Sequence, residues 1–227
     1  MRVVRIAIAP VKGLGLVHPD EVVLGRRGVA GDRRYYLIDP DGRLINNKSC
    51  GELMQIRPEL NGDDRLALRF PDGDVAGEVA LGDAVETSFY GRPVTGRLVD
   101  GPWSAAISEH AARPLRLVRA DEPGDAIDRT HVVSVISDGS LRALAREAGV
   151  DDVDGRRFRM TFELEGCDEH EEDGWIGSEV EVGEARIRVA GPVGRCAVTT
   201  RNPDSGVSDL DTLRALAGYR TLREGKA

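Results

Sequence analysis

Aromatic residues make up only 4% of the 227-residue chain, so its interior must be filled by Val, Leu, Ile and Ala rather than by stacked large rings. Cysteine is as scarce. Cys50, Cys167 and Cys196 are widely spaced and form no Cys-x-x-Cys pair, which excludes a disulfide framework and a zinc ribbon and fits a reducing compartment. No apolar run approaches the length of a membrane span, and nothing near Met1 joins a basic segment to an apolar stretch, so the reading is a soluble, cytoplasmic protein without a membrane anchor. Positive charge is also in deficit. A net charge of -8 excludes an extended nucleic-acid surface, which needs clustered excess Lys and Arg. Arginine supplies nearly all the cations, and a few converging guanidinium forks suffice for a small anionic ligand.

Turn formers, in contrast, are plentiful. With 27 Gly, 11 Pro and 41% hydrophobic residues, the chain reads as a turn-rich, mainly β (α+β) protein, large enough for one domain or two small ones sharing an interface. Arg2–Ala9 and Val22–Leu24 read as strands, and Arg34–Ile38 and Arg43–Ile45 flank the turn Asp39-Pro40-Asp41-Gly42 as a hairpin. Leu66, Leu68 and Phe70 alternate with polar residues before Pro71-Asp72-Gly73 and Val79-Ala80-Leu81. Hairpins in series suggest a small barrel. Trp103–His110 fits a helix, Leu115–Val118 a strand, and a soft boundary falls near Asp100, dividing the chain into 1–100 and 101–227.

In the second half, Thr130–Ile136 is a β-branched run. Ser137-Asp138 offers cap oxygens to a helix from about Ser140 that Gly149 ends. Phe158, Met160, Phe162 and Leu164 alternate with Arg157, Arg159, Thr161 and Glu163, which predicts a strand with two arginines on its polar face. Glu179–Val182 and Arg186–Val189 form another hairpin, and Asp211–Arg220 a closing amphipathic helix.

Cys196 lies between the turn-rich Gly191-Pro192-Val193-Gly194 and the β-branched Val198-Thr199-Thr200, at an expected strand edge. A thiolate there is a soft metal ligand that Arg195 would favour; a buried, inert cysteine fits the same residues. The acidic run Asp168–Asp173 with His170 suggests metal ligands or, more simply, a solvated loop steering a basic partner. His18, His110 and His131 have no motif around them to make a Cys-His pair.

The segment Arg195-Cys196-Ala197-Val198-Thr199-Thr200-Arg201-Asn202-Pro203-Asp204-Ser205-Gly206 resembles the R-C-x-x-T-T-x-D-P-x-T-G signature of the MOSC family, named for the C-terminal part of molybdenum cofactor sulfurase. Pro10-Val11-Lys12 and Gly28-Val29-Ala30-Gly31-Asp32-Arg33-Arg34-Tyr35 resemble the motifs of its N-terminal barrel. Ser137-Asp138-Gly139-Ser140-Leu141, Arg157-Phe158-Arg159 and Glu172-Asp173-Gly174-Trp175 resemble further family elements. Within the family the chain resembles the mitochondrial amidoxime reducing component and its bacterial counterparts. The resemblance implies a MOSC-type β-barrel with a smaller N-terminal barrel and a few short helices. It implies a molybdenum-dependent oxidoreductase binding molybdopterin, with Cys196 as metal ligand and catalytic residue. The implied cofactor-binding set is Lys12, Arg33, Arg34, Ser137, Arg157, Arg159, Thr161, Arg195 and Cys196. Met160-Thr161 replaces the family's Pro-Asn, and Asn202 its Asp.

The implied activity is reduction of N-hydroxylated or N-oxide substrates. The chain lacks the four clustered cysteines of an iron-sulfur module, so electrons are expected from a separate donor. The rival expectation is a non-catalytic carrier of cofactor or sulfur using Cys196. Flavin or pyridoxal phosphate has no compelling motif.

Overall fold

The structure is a computed structural model, and it describes residues 1–60, 62, 65–126 and 132–220. It is mostly β, with three short helices among the described residues. The first half runs β1 (Arg2–Ile6), β2 (Leu24–Gly25), β3 (Gly28–Val29), β4 (Tyr35–Ile38), β5 (Leu44–Ile45), β6 (Arg57–Leu60), β7 (Arg65–Phe70), β8 (Gly73–Glu78), β9 (Ala80–Phe89) and β10 (Arg92–Asp100). Helix α1 (Trp103–His110) and β11 (Arg116–Ala120) follow, then β12 (Val135–Ser137), α2 (Asp138–Ala148), β13 (Phe162–Glu165), β14 (Glu179–Val182), β15 (Ala185–Arg188) and α3 (Thr212–Tyr219).

A five-stranded sheet in the order β5-β4-β11-β10-β9 organises the first half. Strand β4 is its keystone. Tyr35, Tyr36, Leu37 and Ile38 are all fully buried, as an apolar run with no polar alternation requires when both faces are covered. Tyr35 and Leu37 join Leu53, Ile56, Leu66, Leu68, Trp103, Ile107 and Leu117. Tyr36 and Ile38 join Phe89, Val94, Val118 and Ala120 on the other face. The scarce aromatics are concentrated here: Trp103 is fully buried, with its indole N–H donating to Leu66 O at 3.2 Å. Sheet β6-β7-β8 is a meander, and no ladder joins β5 to β9 among the described residues.

The boundary expected near Asp100 falls at the end of β10, yet β11 returns across it to pair with β4 and β10. Strand β1 likewise leaves the first half to pair antiparallel with β13, whose other edge holds β12 in parallel. Ser137 caps α2 by accepting from Ser140 N at 3.1 Å, and Gly149 ends it in the left-handed region at φ 69°, as the sequence predicts. The Asp39–Gly42 hairpin, the Glu179 hairpin, α1 and α3 stand where expected.

Three expectations are corrected. The alternation from Arg157 to Leu164 does not form one strand: Asp154 accepts from Arg156 N at 2.9 Å and starts a 3-10 turn over Gly155–Phe158, Arg159 is left-handed, and β13 begins only at Phe162. The β-branched run after Cys196 is a 3-10 turn over Ala197–Thr200, because the Thr199 and Thr200 hydroxyls donate to Cys196 O at 3.0 Å and Ala197 O at 2.8 Å and fold the backbone back. The Val22–Leu24 strand shrinks to a two-residue ladder with Val23 exposed. Of the Thr130–Ile136 run, Thr130 and His131 lie outside the described residues, and only Val135 and Ile136 enter β12.

Candidate functional site

A cavity of about 180 Å³ opens between the two halves. The first half contributes Lys12, Arg33, Asn46, Asn47, Lys48 and Tyr90; the second contributes Arg157 to Arg159, Val193 to Cys196, Val198 and Thr199. Its lining includes six cations, Lys12, Arg33, Lys48, Arg157, Arg159 and Arg195, and, among the described residues, no carboxylate. In a chain of net charge -8 that segregation singles the cleft out as an anion site.

Five of these cations are held by local devices. Lys12 follows β1 and donates from Nζ to Ala126 O at 2.9 Å, with the Phe89 ring centroid at 5.5 Å. Burial, followed by repulsion from Arg33, pulls its ammonium down to about 7 although Asp32 opposes the shift. Arg33 is left-handed at φ 49° and pairs with Asp32, a buried carboxylate that also accepts from Ala9 N at 2.7 Å. Arg157 is buried, donating to Asp209 at 2.6 Å and to Thr200 O at 3.3 Å. Arg159 donates to Leu14 O at 2.7 Å, and burial with Arg33 nearby pulls it down to about 9. Arg195 lies 5.1 Å from the Phe158 ring centroid with Met160 Sδ at 3.4 Å, and burial lowers it to about 10.

Two donors at this cleft are buried and have no hydrogen-bond partner: Asn47 Nδ2 and Arg157 Nε. Strain gathers there too. Of the five non-glycine residues with positive φ among those described, Arg33, Tyr90 and Arg159 line this one cavity, and such backbone costs of order 1 kcal/mol or more each unless the surroundings impose it. Cys196 is exposed at the rim. Its carbonyl is taken by Thr199 N at 3.1 Å and by the Thr199 hydroxyl, which fixes where the chain carries the thiol. A cleft with surplus cations, unpaired donors and an accessible thiol can hold an acceptor-rich anion and offer a soft ligand to a metal.

Six expected site residues therefore converge: Lys12, Arg33, Arg157, Arg159, Arg195 and Cys196. Three are placed elsewhere. Arg34 donates to Ala120 O at 2.5 Å and staples β4 to β11. Thr161 is buried, accepting from Ser134 N at 3.2 Å. Ser137, fully buried, donates to Glu172 at 2.8 Å besides capping α2. The acidic loop is consumed internally: Glu172 also accepts from Ser140 at 2.6 Å, Asp173 pairs with Arg220 at 2.8 Å, and Glu169 pairs with Arg146. No metal-binding group of three or more such side chains occurs among the described residues. His18 and His110 bind the backbone carbonyls of Ile6 and Glu52, away from the cleft. Asn46, Asn47, Lys48 and Tyr90 were not singled out in the sequence; Tyr90-Gly91 between two long strands was the available signal.

The family comparison covers both halves of the chain. The MOSC N-terminal beta barrel domain matches residues 1–96 and the MOSC domain residues 120–225, and the chain belongs to the MOSC family. Among its relatives, molybdenum cofactor sulfurase of Drosophila pseudoobscura pseudoobscura is 27% identical over 224 residues, 89% of this chain but 27% of the sulfurase. Human mitochondrial amidoxime-reducing component 1 is 26% identical over 246 residues, 96% of this chain and 72% of that protein; the mouse protein is 24% identical over 231 residues, 92% and 67% respectively. No helix among the described residues is long and apolar enough to cross a membrane.

Proposed function

We propose that this protein is a molybdenum-cofactor-binding oxidoreductase that reduces N-hydroxylated or N-oxide substrates with electrons from a separate donor protein. The observation that carries the reading is the exposed Cys196 thiol on the rim of a six-cation cleft that no carboxylate lines among the described residues. The residues fit the group. A phosphate-bearing pterin would satisfy Asn47 Nδ2 and Arg157 Nε, and its negative charge would offset the burial and, second to it, the repulsion from Arg33 that depress Lys12 and Arg159. In this reading Lys12, Arg33, Arg157 and Arg159 hold the phosphate and pterin, Arg195 adds positive charge beside the thiol, and Cys196 is the protein ligand to the metal. The bound cofactor supplies the redox capacity that side chains lack. Arg34, Ser137 and Thr161 support the cleft's walls. Residues 1–100 and 101–227 each contribute one side of the cleft, exchanging β1 and β11 between their sheets, in a cytoplasmic protein.

Expression in a host that makes the cofactor tests this. The parent should carry molybdenum and Cys196→Ala should lose it; equal retention would overturn the ligand assignment. A second reading, a non-catalytic carrier of cofactor or sulfur on Cys196, is favoured by the similarity to the sulfurase across 89% of this chain. Turnover separates the two: a molybdenum-loaded parent that, given reductant, reduces neither amidoxime, hydroxylamine nor N-oxide is a carrier. A flavin or pyridoxal phosphate in its place would show in the absorbance spectrum.

A further inference from the structure

Tyr90 sits at the tip of the longest hairpin, in the two-residue loop Tyr90-Gly91 between β9 and β10. Both loop residues have positive φ, 53° and 86°, the mirror-image turn whose twist suits a hairpin and which prefers Asn, Asp or Gly at its first position. A bulky aromatic there works against the turn's preference. The ring gains nothing from the core in return, since Tyr90 is 81% exposed and is the one exposed aromatic among the described residues. Its recorded polar contact is a long one, with Asn46 Nδ2 donating to its hydroxyl at 3.4 Å.

The hairpin is nonetheless firmly aimed. The adjoining Phe89 is buried edge-on against Tyr36 at 4.9 Å and carries Lys12 over its ring, so the tip is tied to the cleft's cationic floor. Tyr90 and Cys196 come from opposite halves and line the same cavity. An unpartnered aromatic face held in a strained turn at the mouth of a cleft is suited to stacking on a planar ligand.

We infer that Tyr90 is a specificity-determining residue: its ring forms a stacking platform that favours flat, conjugated N-hydroxylated substrates, such as aryl amidoximes, over compact alkyl ones. This inference rests on the reductase reading above, and it adds the class of substrate. Val193 and Val198 give the facing half apolar surface at the same cleft.

The test uses cofactor-loaded parent, Tyr90→Phe and Tyr90→Asn, with ligand-observed NMR titrations of benzamidoxime and acetamidoxime alongside steady-state kinetics. Tyr90→Asn should keep or raise Tm, because Asn-Gly is the turn's preferred pair. It should weaken benzamidoxime about fivefold to tenfold, in Kd and in KM with kcat held, and leave acetamidoxime within about twofold. Tyr90→Phe should match the parent. Equal weakening of both compounds, no weakening of benzamidoxime, or a fall in Tm in Tyr90→Asn would overturn the platform. So would a loss of molybdenum in that variant, which would assign the ring to the cofactor. Failure of the parent itself to reduce either compound strikes the reductase reading instead, and the binding titration still judges Tyr90.

Discussion

Lys12 carries the electrostatic cost of the cleft in one side chain. Burial and the Arg33 guanidinium bring its ammonium to about 7 from an ordinary 10.5. For a base whose pKa is depressed by folding, the unfolded chain binds more protons between those two values, so stability rises with pH across that window. Below pH 7 the whole penalty of the buried cation is present. Lys12→Met should therefore raise the Tm of ligand-free protein by roughly 2–4 °C near pH 6, with the gain shrinking as the pH is raised toward about 9; calorimetry at the two pH values checks both. Binding a polyanion restores the charge and takes up a proton. Affinity for inorganic pyrophosphate should thus fall as pH rises through 7 in the parent and lose that dependence in Lys12→Met, as titration calorimetry in two buffers would show.

The turn after Cys196 is an element built from its own side chains. Asn202 Oδ1 accepts from Asp204 N at 2.9 Å and Ser205 N at 3.1 Å, while its Nδ2 donates to Asp209 at 3.0 Å. The Asn that replaces the family's Asp therefore uses both ends of its amide, and a carboxylate could not make the donor contact. Gly206 closes the turn at φ 74° with its backbone packed on Gly51, so that a Cβ on either glycine would collide with the other's carbonyl. Gly206→Ala combines a strained φ with that collision and should cost about 2–4 kcal/mol. Gly51→Ala should destabilise too, and the double variant should fall short of the sum because one contact is shared. Denaturant unfolding gives the energies. The rate at which Cys196 reacts with a thiol reagent should change in the same variants, since this turn holds the thiol-bearing segment.

Across the whole molecule the halves are joined by strand pairing and by ion pairs that cross between them, that of Asp204 with Arg57 among them. Asp204 accepts from Arg57 of the first half at 2.5 Å and from Arg156 of the second at 2.8 and 3.0 Å. Both arginines hold its carboxyl below the usual range, Arg156 foremost. Asp204 is more than half exposed, so Asp204→Ala should cost only about 1 kcal/mol, and less in high salt. Chemical denaturation at two ionic strengths would check this, and a loss that grows with salt would contradict it.

Several turns, caps and hairpins could be read directly, because those structures arise from interactions a few positions apart: Ser137 and Gly149 bound α2, and Pro40 with Gly42 turns the first hairpin. The MOSC signature marked Cys196, and charge scarcity marked arginine as the anion-binding residue. Alternation failed at Arg157–Thr161, where a cap at Asp154 competed with the strand pattern and won, and at Val198–Thr200, where hydroxyls bent the backbone. Local chemistry along the chain thus determined a mainly β chain and the bulk of its elements, while the family resemblance, and not local chemistry, marked the cysteine at issue. Only the tertiary structure decided which cations converge, that Arg34, Ser137 and Thr161 turn to other partners, and that Tyr90 faces the cleft, because pairings such as β1 with β13 and Gly206 with Gly51 bring together residues more than 150 positions apart.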